Sequence, residues 1–181
     1  MCLILATALL PAPSLAHTYG DRTGLIRFVS HALRMDFSAD NKSLRAIWDS
    51  KTGKLRVSAP ITYFRFADKH MESTFNENDL ESLKYTSASF EGTLSGLTAD
   101  QAATPGTYPV TVEGELRIHG VTRPLKATAK ATVNAAGAVT AESDFKVACA
   151  DHEIPIPSMV SERVAKIIEV HVELKLVKMS L

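Results

Sequence analysis

Between Tyr108 and His119 apolar and polar residues alternate. Tyr108, Val110, Val112, Gly114, Leu116 and Ile118 fall on one face, and Thr111, Glu113, Glu115, Arg117 and His119 on the other. Successive side chains of a strand point to opposite faces, so this period of two predicts one long strand with an apolar inner face. Gly120-Val121-Thr122-Arg123-Pro124 reads as a turn. The next run sets Leu125, Ala127, Ala129, Ala131 and Val133 against Lys126, Thr128, Lys130 and Thr132. Asn134-Ala135-Ala136-Gly137 reads as a hairpin turn. The pattern resumes with Val139, Ala141, Ser143, Phe145 and Val147, and near the C-terminus with Ile168, Val170, Val172, Leu174 and Leu176. The N-terminal half repeats it in Ile26 and Phe28, in Leu44, Ala46 and Trp48, in Leu55, Val57, Ala59 and Ile61, and in Ala88, Phe90, Gly92 and Leu94. About eight strands joined by short turns predict an all-β antiparallel barrel or sandwich.

Three stretches break the alternation. Residues 68–83 suit a short helix or helical loop. On a helix Met71 and Phe75 are i, i+4 neighbours on one face. Laid across a barrel mouth, that face would close or line a cavity, and Asn76 and Asn78 could offer amides to a ligand's polar end. Packed on the outside, Met71 and Phe75 would instead be ordinary core. Ser158–Lys166 could form a second helical turn capped by Ser158. Leu97–Gly106 reads as a loop of polar and small residues.

The inward positions include Gly114, Ala127, Ala129, Ala131 and Ala141. A solid core wants bulk there, whereas small side chains leave room that an eight-stranded barrel can give to one small ligand. The bulky Phe28, Trp48, Phe64, Phe66, Phe90 and Phe145 could fill the same space. Alternation alone leaves a filled barrel and a hollow one equally open.

Charge narrows the partners. Lysine plus arginine and aspartate plus glutamate number 20 each, so no field of one sign exists to attract nucleic acid or an anionic membrane. Residues 1–16, MCLILATALLPAPSLA, carry no charged side chain. The apolar run is too short to span a bilayer, and Ser14 and Ala16 suit cleavage before His17, although no lysine or arginine precedes the run. The expectation is an export signal over residues 1–16, a single domain over 17–181, and a periplasmic or secreted destination. Cleavage would remove Cys2, leaving Cys149 alone and no internal disulfide. Lys126, Lys130, Glu113 and Glu115 on the outward faces argue against a membrane-spanning barrel.

Catalytic signals are thin. The six histidines, His17, His31, His70, His119, His152 and His171, include no i, i+4 pair and join no cysteine pair, so no metal site is expected. His119 and His171 project from polar faces and read as solvated. As a mature N-terminus His17 could chelate copper with a second histidine, against the simpler reading of a frayed end. No G-x-S-x-G or phosphate-cradling loop occurs, and Glu72, Glu77, Asp79 and Glu81 read as one solvated helix face. No enzymatic activity and no cofactor are expected.

TYPVTVEGELRIHGVTRP, from Thr107 to Pro124, closely resembles the hallmark segment of the YceI-like family, a strand ending in a hydrophobic-His-Gly-Val-Thr turn. FNENDLESLKYTSASFEG (Phe75–Gly92), RTGLIRFVSHA (Arg22–Ala32) and FKVACADHEIPIPSMV (Phe145–Val160) resemble further segments in the same order. The resemblance implies a lipocalin-like, eight-stranded antiparallel barrel, usually exported, which in some members encloses an isoprenoid or other lipid tail. It implies no catalytic residues. His119, Gly120 and Thr122 match the signature turn and would shape the hairpin. Thr86 stands where proline is common, His152 where tyrosine is common, and Asn76, Glu77, Asn78 and Asp79 replace the usual basic and acidic residues. These departures touch the head group a ligand could carry, not the fold.

The combined expectation is a binding or carrier barrel for a hydrophobic, isoprenoid or lipid-like small molecule. Cavity candidates are Ile26, Phe28, Trp48, Phe64, Phe66, Met71, Phe75, Asn76, Asn78, Phe90, Leu116, Ile118 and Phe145. The alternative is a filled-barrel stress or protein-interaction module with no small ligand. A homodimer is compatible with either.

Overall fold

Among the residues described by the computed structural model, 17–32, 36–156 and 165–179, eleven strand segments form one antiparallel sheet that closes on itself as an eight-stranded barrel. The expected leader at 1–16 and most of the expected helical turn at Ser158–Lys166 lie outside the described residues. The first segments are β1 (Thr18–Asp21), β2 (Leu25–His31), β3 (Asp36–Asn41), β4 (Arg45–Asp49), β5 (Lys54–Pro60) and β6 (Arg65–Phe66). A short α-helix, α1 (Lys69–Thr74), runs into a π-helical turn at Phe75–Asp79. There follow β7 (Ser87–Ser95), β8 (Gly106–Ile118), β9 (Val121–Val133), β10 (Val139–Ala148) and β11 (Ile167–Lys178).

The ring runs β1-β4-β5-β7-β8-β9-β10-β11 and returns to β1, where Gly20 meets Val177. Eleven segments make eight staves because three staves are broken. β1 and β2 both pair with β11, β4 and β3 pair with them in turn, and β5 and β6 pair with those. Each break leaves backbone groups needing partners, and a buried polar side chain supplies them. Asp21 accepts from the amides of Thr23 (2.6 Å), Gly24 (3.1 Å) and Lys175 (2.5 Å). Asn41 donates to the Pro60 carbonyl and accepts from the Ser43 amide, both at 2.8 Å.

The longest ladder joins β8 to β9 without a bulge, from Gly106 opposite Val133 to Ile118 opposite Val121. The turn is tighter than the sequence suggests. It is His119 and Gly120 alone, and Val121 to Pro124 already belong to β9. Both turn residues have positive φ, +52° and +79°, the backbone whose twist matches that of flanking strands. Pro124 lies opposite Glu115, three residues into the ladder. Hydrogen-bonded and non-bonded pairs alternate, so Pro124 falls in a non-bonded pair and its missing N–H costs the ladder nothing.

At Gly120 a Cβ would lie 2.5 Å from Cε1 of Tyr85, on a backbone that L side chains resist. Gly120→Ala is therefore expected to destabilise the protein by about 1–3 kcal/mol, read as a lowered urea midpoint with an unchanged slope. At the Gly92–Gly114 pair of β7 and β8, a Cβ on either residue would strike the neighbouring strand's backbone, so the two strands approach there more closely than a side chain allows.

The barrel core separates into two clusters. At one end Trp48 and Tyr19 pack with ring centroids 5.0 Å apart beside Leu44 and Leu176, all fully buried. The loop expected to be polar is tucked beneath them. Ala102 is fully buried, and its carbonyl accepts from the Tyr19 hydroxyl at 3.3 Å. At the other end Phe28, Phe37, Phe64, Phe66 and Phe75 form a continuous aromatic cluster, with Phe75 stacked on Phe28 at 5.5 Å.

Candidate functional site

Between the two clusters lies a cavity of about 590 Å³, within the range of ordinary small-molecule sites. Its wall is the inward face of the strands. β5 gives Leu55, Val57 and Ala59, β8 gives Val112, Leu116 and Ile118, and β11 gives Ile168, Val170, Val172 and Leu174. The small inward residues Ala129 and Ala141 lie on this wall. Bulk is concentrated at the two ends and the middle stays hollow, so the barrel is not a filled one.

The cover is α1 with its π turn. Asp68 caps the helix, its carboxylate accepting from the amides of His70 (2.7 Å) and Met71 (3.4 Å). Glu72 ties it to the barrel by accepting from the Phe66 amide at 3.1 Å and from Lys69 at 3.0 Å. Those contacts, Lys69 first, hold the Glu72 carboxyl below the usual carboxylate range. So fastened, the helical segment presents Met71, Phe75, Asn78, Asp79 and Leu80 to the cavity. Exposed His70 and Asn78 on this segment, and exposed Pro155 beyond β10, are also on the wall, so the cavity meets solvent between these two stretches.

Of the residues singled out from the sequence, Ile26, Phe28, Phe64, Phe66, Met71, Phe75, Asn78, Phe90, Leu116, Ile118 and Phe145 line the cavity. Trp48 and Asn76 do not. Trp48 faces inward but sits at the closed end, at 0% exposure. Asn76 spends its amide on its own helix, donating to the Glu72 carbonyl at 2.8 Å. Val57, Val172 and Ser143, which alternation sets on the inward faces, also line the wall, as do Cys149, Ile154 and Asp79, which no sequence pattern singled out for it.

His119 is a correction. It is not solvated but only 9% exposed, because its positive φ turns the side chain onto the segment after the helical cover. Its Nε2 lies 3.0 Å from a Glu81 carboxylate oxygen, and its ring meets Tyr85 edge-on at 4.5 Å. His171 does sit on the outer face, half-exposed, 2.8 Å from Asp144. His17 is docked on the β4–β5 turn, its amide donating to Ser50 Oγ at 3.0 Å. Among the described residues no three His, Cys, Asp or Glu side chains converge as a metal site, and no helix is long and apolar enough to cross a membrane.

The four carboxylates do not share one solvated face. Glu72 anchors the helix, Glu77 accepts from Ser73 at 2.6 Å, Glu81 meets His119, and Asp79 turns into the cavity. Burial pushes the Asp79 carboxyl up. Burial, and secondarily the Asp79 charge, also pushes up the Cys149 thiol, which opposes the thiolate that nucleophilic chemistry needs.

Asp79 has a pH consequence. A carboxyl raised in the fold holds its proton more tightly there than in the unfolded chain. Its burial therefore costs stability at neutral pH, and the cost vanishes as pH falls below the unfolded value of about 3.9. Asp79→Asn is expected to raise the melting temperature at pH 7, with the gain fading between there and pH 4. A gain independent of pH would show that the burial of charge is not its source.

The family model of the YceI-like domain matches residues 19–176. Among solved structures, the chain is similar to a polyisoprenoid binding domain from Saccharophagus degradans implicated in plant cell wall breakdown (14% identity, TM-score 0.76, covering 91% of this chain and 100% of that one). It is also similar to BcnA of Burkholderia cenocepacia (16% identity, TM-score 0.69, covering 85% and 96%). A third likeness is to the Campylobacter jejuni YceI protein (14% identity, TM-score 0.60, covering 79% and 85%). No curated protein matches. At these identities the structural likenesses speak for the barrel architecture, while the match from residue 19 to residue 176 takes in every strand but the ends of β1 and β11. The chain therefore belongs to the YceI-like domain family.

Proposed function

We propose that the chain is a binding or carrier protein that holds one elongated hydrophobic molecule, isoprenoid or lipid-like, inside its barrel and performs no covalent chemistry. The observation that carries this reading is the apolar cavity of about 590 Å³ between two packed ends. The name of the Saccharophagus relative, a polyisoprenoid binding domain, points the same way. The charge-free residues 1–16 support export to the periplasm or outside the cell.

Energetics favour a long ligand. Each 100 Å² of apolar ligand surface buried contributes about 2.5 kcal/mol, against roughly 4–15 kcal/mol for lost freedom on association. A short apolar molecule gains little beyond that cost, whereas a chain burying several hundred Å² gains well beyond it. The filled-barrel interaction module has no comparable support, because the middle of this barrel is hollow.

Organic extraction of natively purified protein followed by mass spectrometry should recover one apolar species in near-equimolar amount. The stripped protein should then bind diphenylhexatriene, a neutral rod-shaped probe. No extractable species together with no probe binding would overturn the reading.

A further inference from the structure

We propose that Asp79 reads the ligand's head group, admitting an apolar chain that ends in a hydrogen-bond donor and rejecting the same chain ending in an anion. The inference rests on the reading of the cavity as a ligand site and adds to it the class of head group.

Asp79 is the only Asp, Glu, Lys or Arg on the described cavity wall. It ends the π turn, and the next residue, Leu80, is buried with its amide bonded to the Phe75 carbonyl at 2.9 Å, so the position is fixed. Its carboxyl has no hydrogen-bond or ion-pair partner among the described residues, and desolvation alone perturbs it. Two other polar wall groups are already used. Thr74 donates to the His70 carbonyl at 3.1 Å, and Ser143 to the Thr128 carbonyl at 2.9 Å. The cavity therefore holds a partly desolvated acceptor with unused lone pairs, close to its opening beside exposed Asn78.

A hydroxyl, amine or amide N–H brought to this carboxylate completes a charge-assisted hydrogen bond. A carboxylate or phosphate brought there faces a like charge that is only partly hydrated. An apolar tail fits either way, so the discrimination is in the head group alone.

The test uses four ligands with one C20 tail: geranylgeraniol, geranylgeranylamine, geranylgeranoic acid and geranylgeranyl phosphate. Each competes with diphenylhexatriene at pH 8 on the full chain and on Asp79→Asn, with melting curves confirming that both are folded. The alcohol and amine are expected to bind at least about tenfold more tightly than the acid and phosphate. In Asp79→Asn the gap should close, chiefly because the two anions gain. Equal binding of all four to the unaltered chain, or a gap that survives in Asp79→Asn, would overturn the head-group assignment and leave the cavity reading standing. Failure of all four ligands and of the probe would overturn both.

Discussion

Trp48→Ala is expected to lower stability by about 3–5 kcal/mol, the cost of emptying a fully buried aromatic site. Trp48 is 0% exposed on β4, opposite Tyr19 on one neighbouring strand and Leu55 on the other. Its ring closes the end of the barrel away from the helical cover, and its neighbours there are themselves held in place. Tyr19 is pinned by its hydroxyl to Ala102, and Leu44 and Leu176 are themselves fully buried. At roughly 2–4 °C per kcal/mol for a domain of this size, the melting temperature should fall by about 6–20 °C. Trp48→Phe should cost far less. The indole Nε1 is buried without an acceptor, so losing the donor offsets part of the lost packing. Thermal melts of both variants check this, and equal losses would show that neither the phenyl packing nor the removal of the buried N–H contributes as stated.

Trp48 also shows what a period of two can and cannot tell. Alternation gives the face of a residue, not its height along the barrel axis. Trp48 and Phe28 both face inward, yet one plugs the closed end and the other joins the cluster under the helical cover. That is why alternation could not decide between a filled and a hollow barrel: the large side chains suffice to fill it only if they share one level. β8, β9, β10 and β11 were legible because each is long and half-buried. β3, with the sequence DFSADN, and the two-residue β6 carry too few apolar positions to show. The breaks between β1 and β2 and between β3 and β4 depend on Asp21 and Asn41 bonding to backbone, which no hydropathy pattern encodes.

The site was missed where chemistry overrode geometry. Asp79 lies four residues beyond Phe75 and eight beyond Met71, so helical spacing alone puts all three on the cavity face. It read as solvated because it is an acid among acids. His119 likewise read as strand, although a residue followed by glycine between two alternating runs is the signal of a two-residue hairpin turn.

Ala129→Phe separates binding from folding. Ala129 lies on β9 between Val110 and Ser143, faces the cavity and is only half-buried, because hollow space stands in front of it. A phenyl ring there would displace ligand from on the order of 100 Å² of contact. At about 25 cal/mol per Å² that is about 2.5 kcal/mol, or roughly 70-fold in affinity. Overpacking a filled core costs about 1–3 kcal/mol, but here the ring enters empty space, so stability should stay within about 1 kcal/mol or rise. The same change at Thr128, on the outer face, should leave binding untouched. Diphenylhexatriene titrations and melting curves on both variants read the two quantities independently. A folded Ala129→Phe that binds as before would place the ligand outside the barrel. An Ala129→Phe that no longer folds would mean that nothing hollow stands before β9.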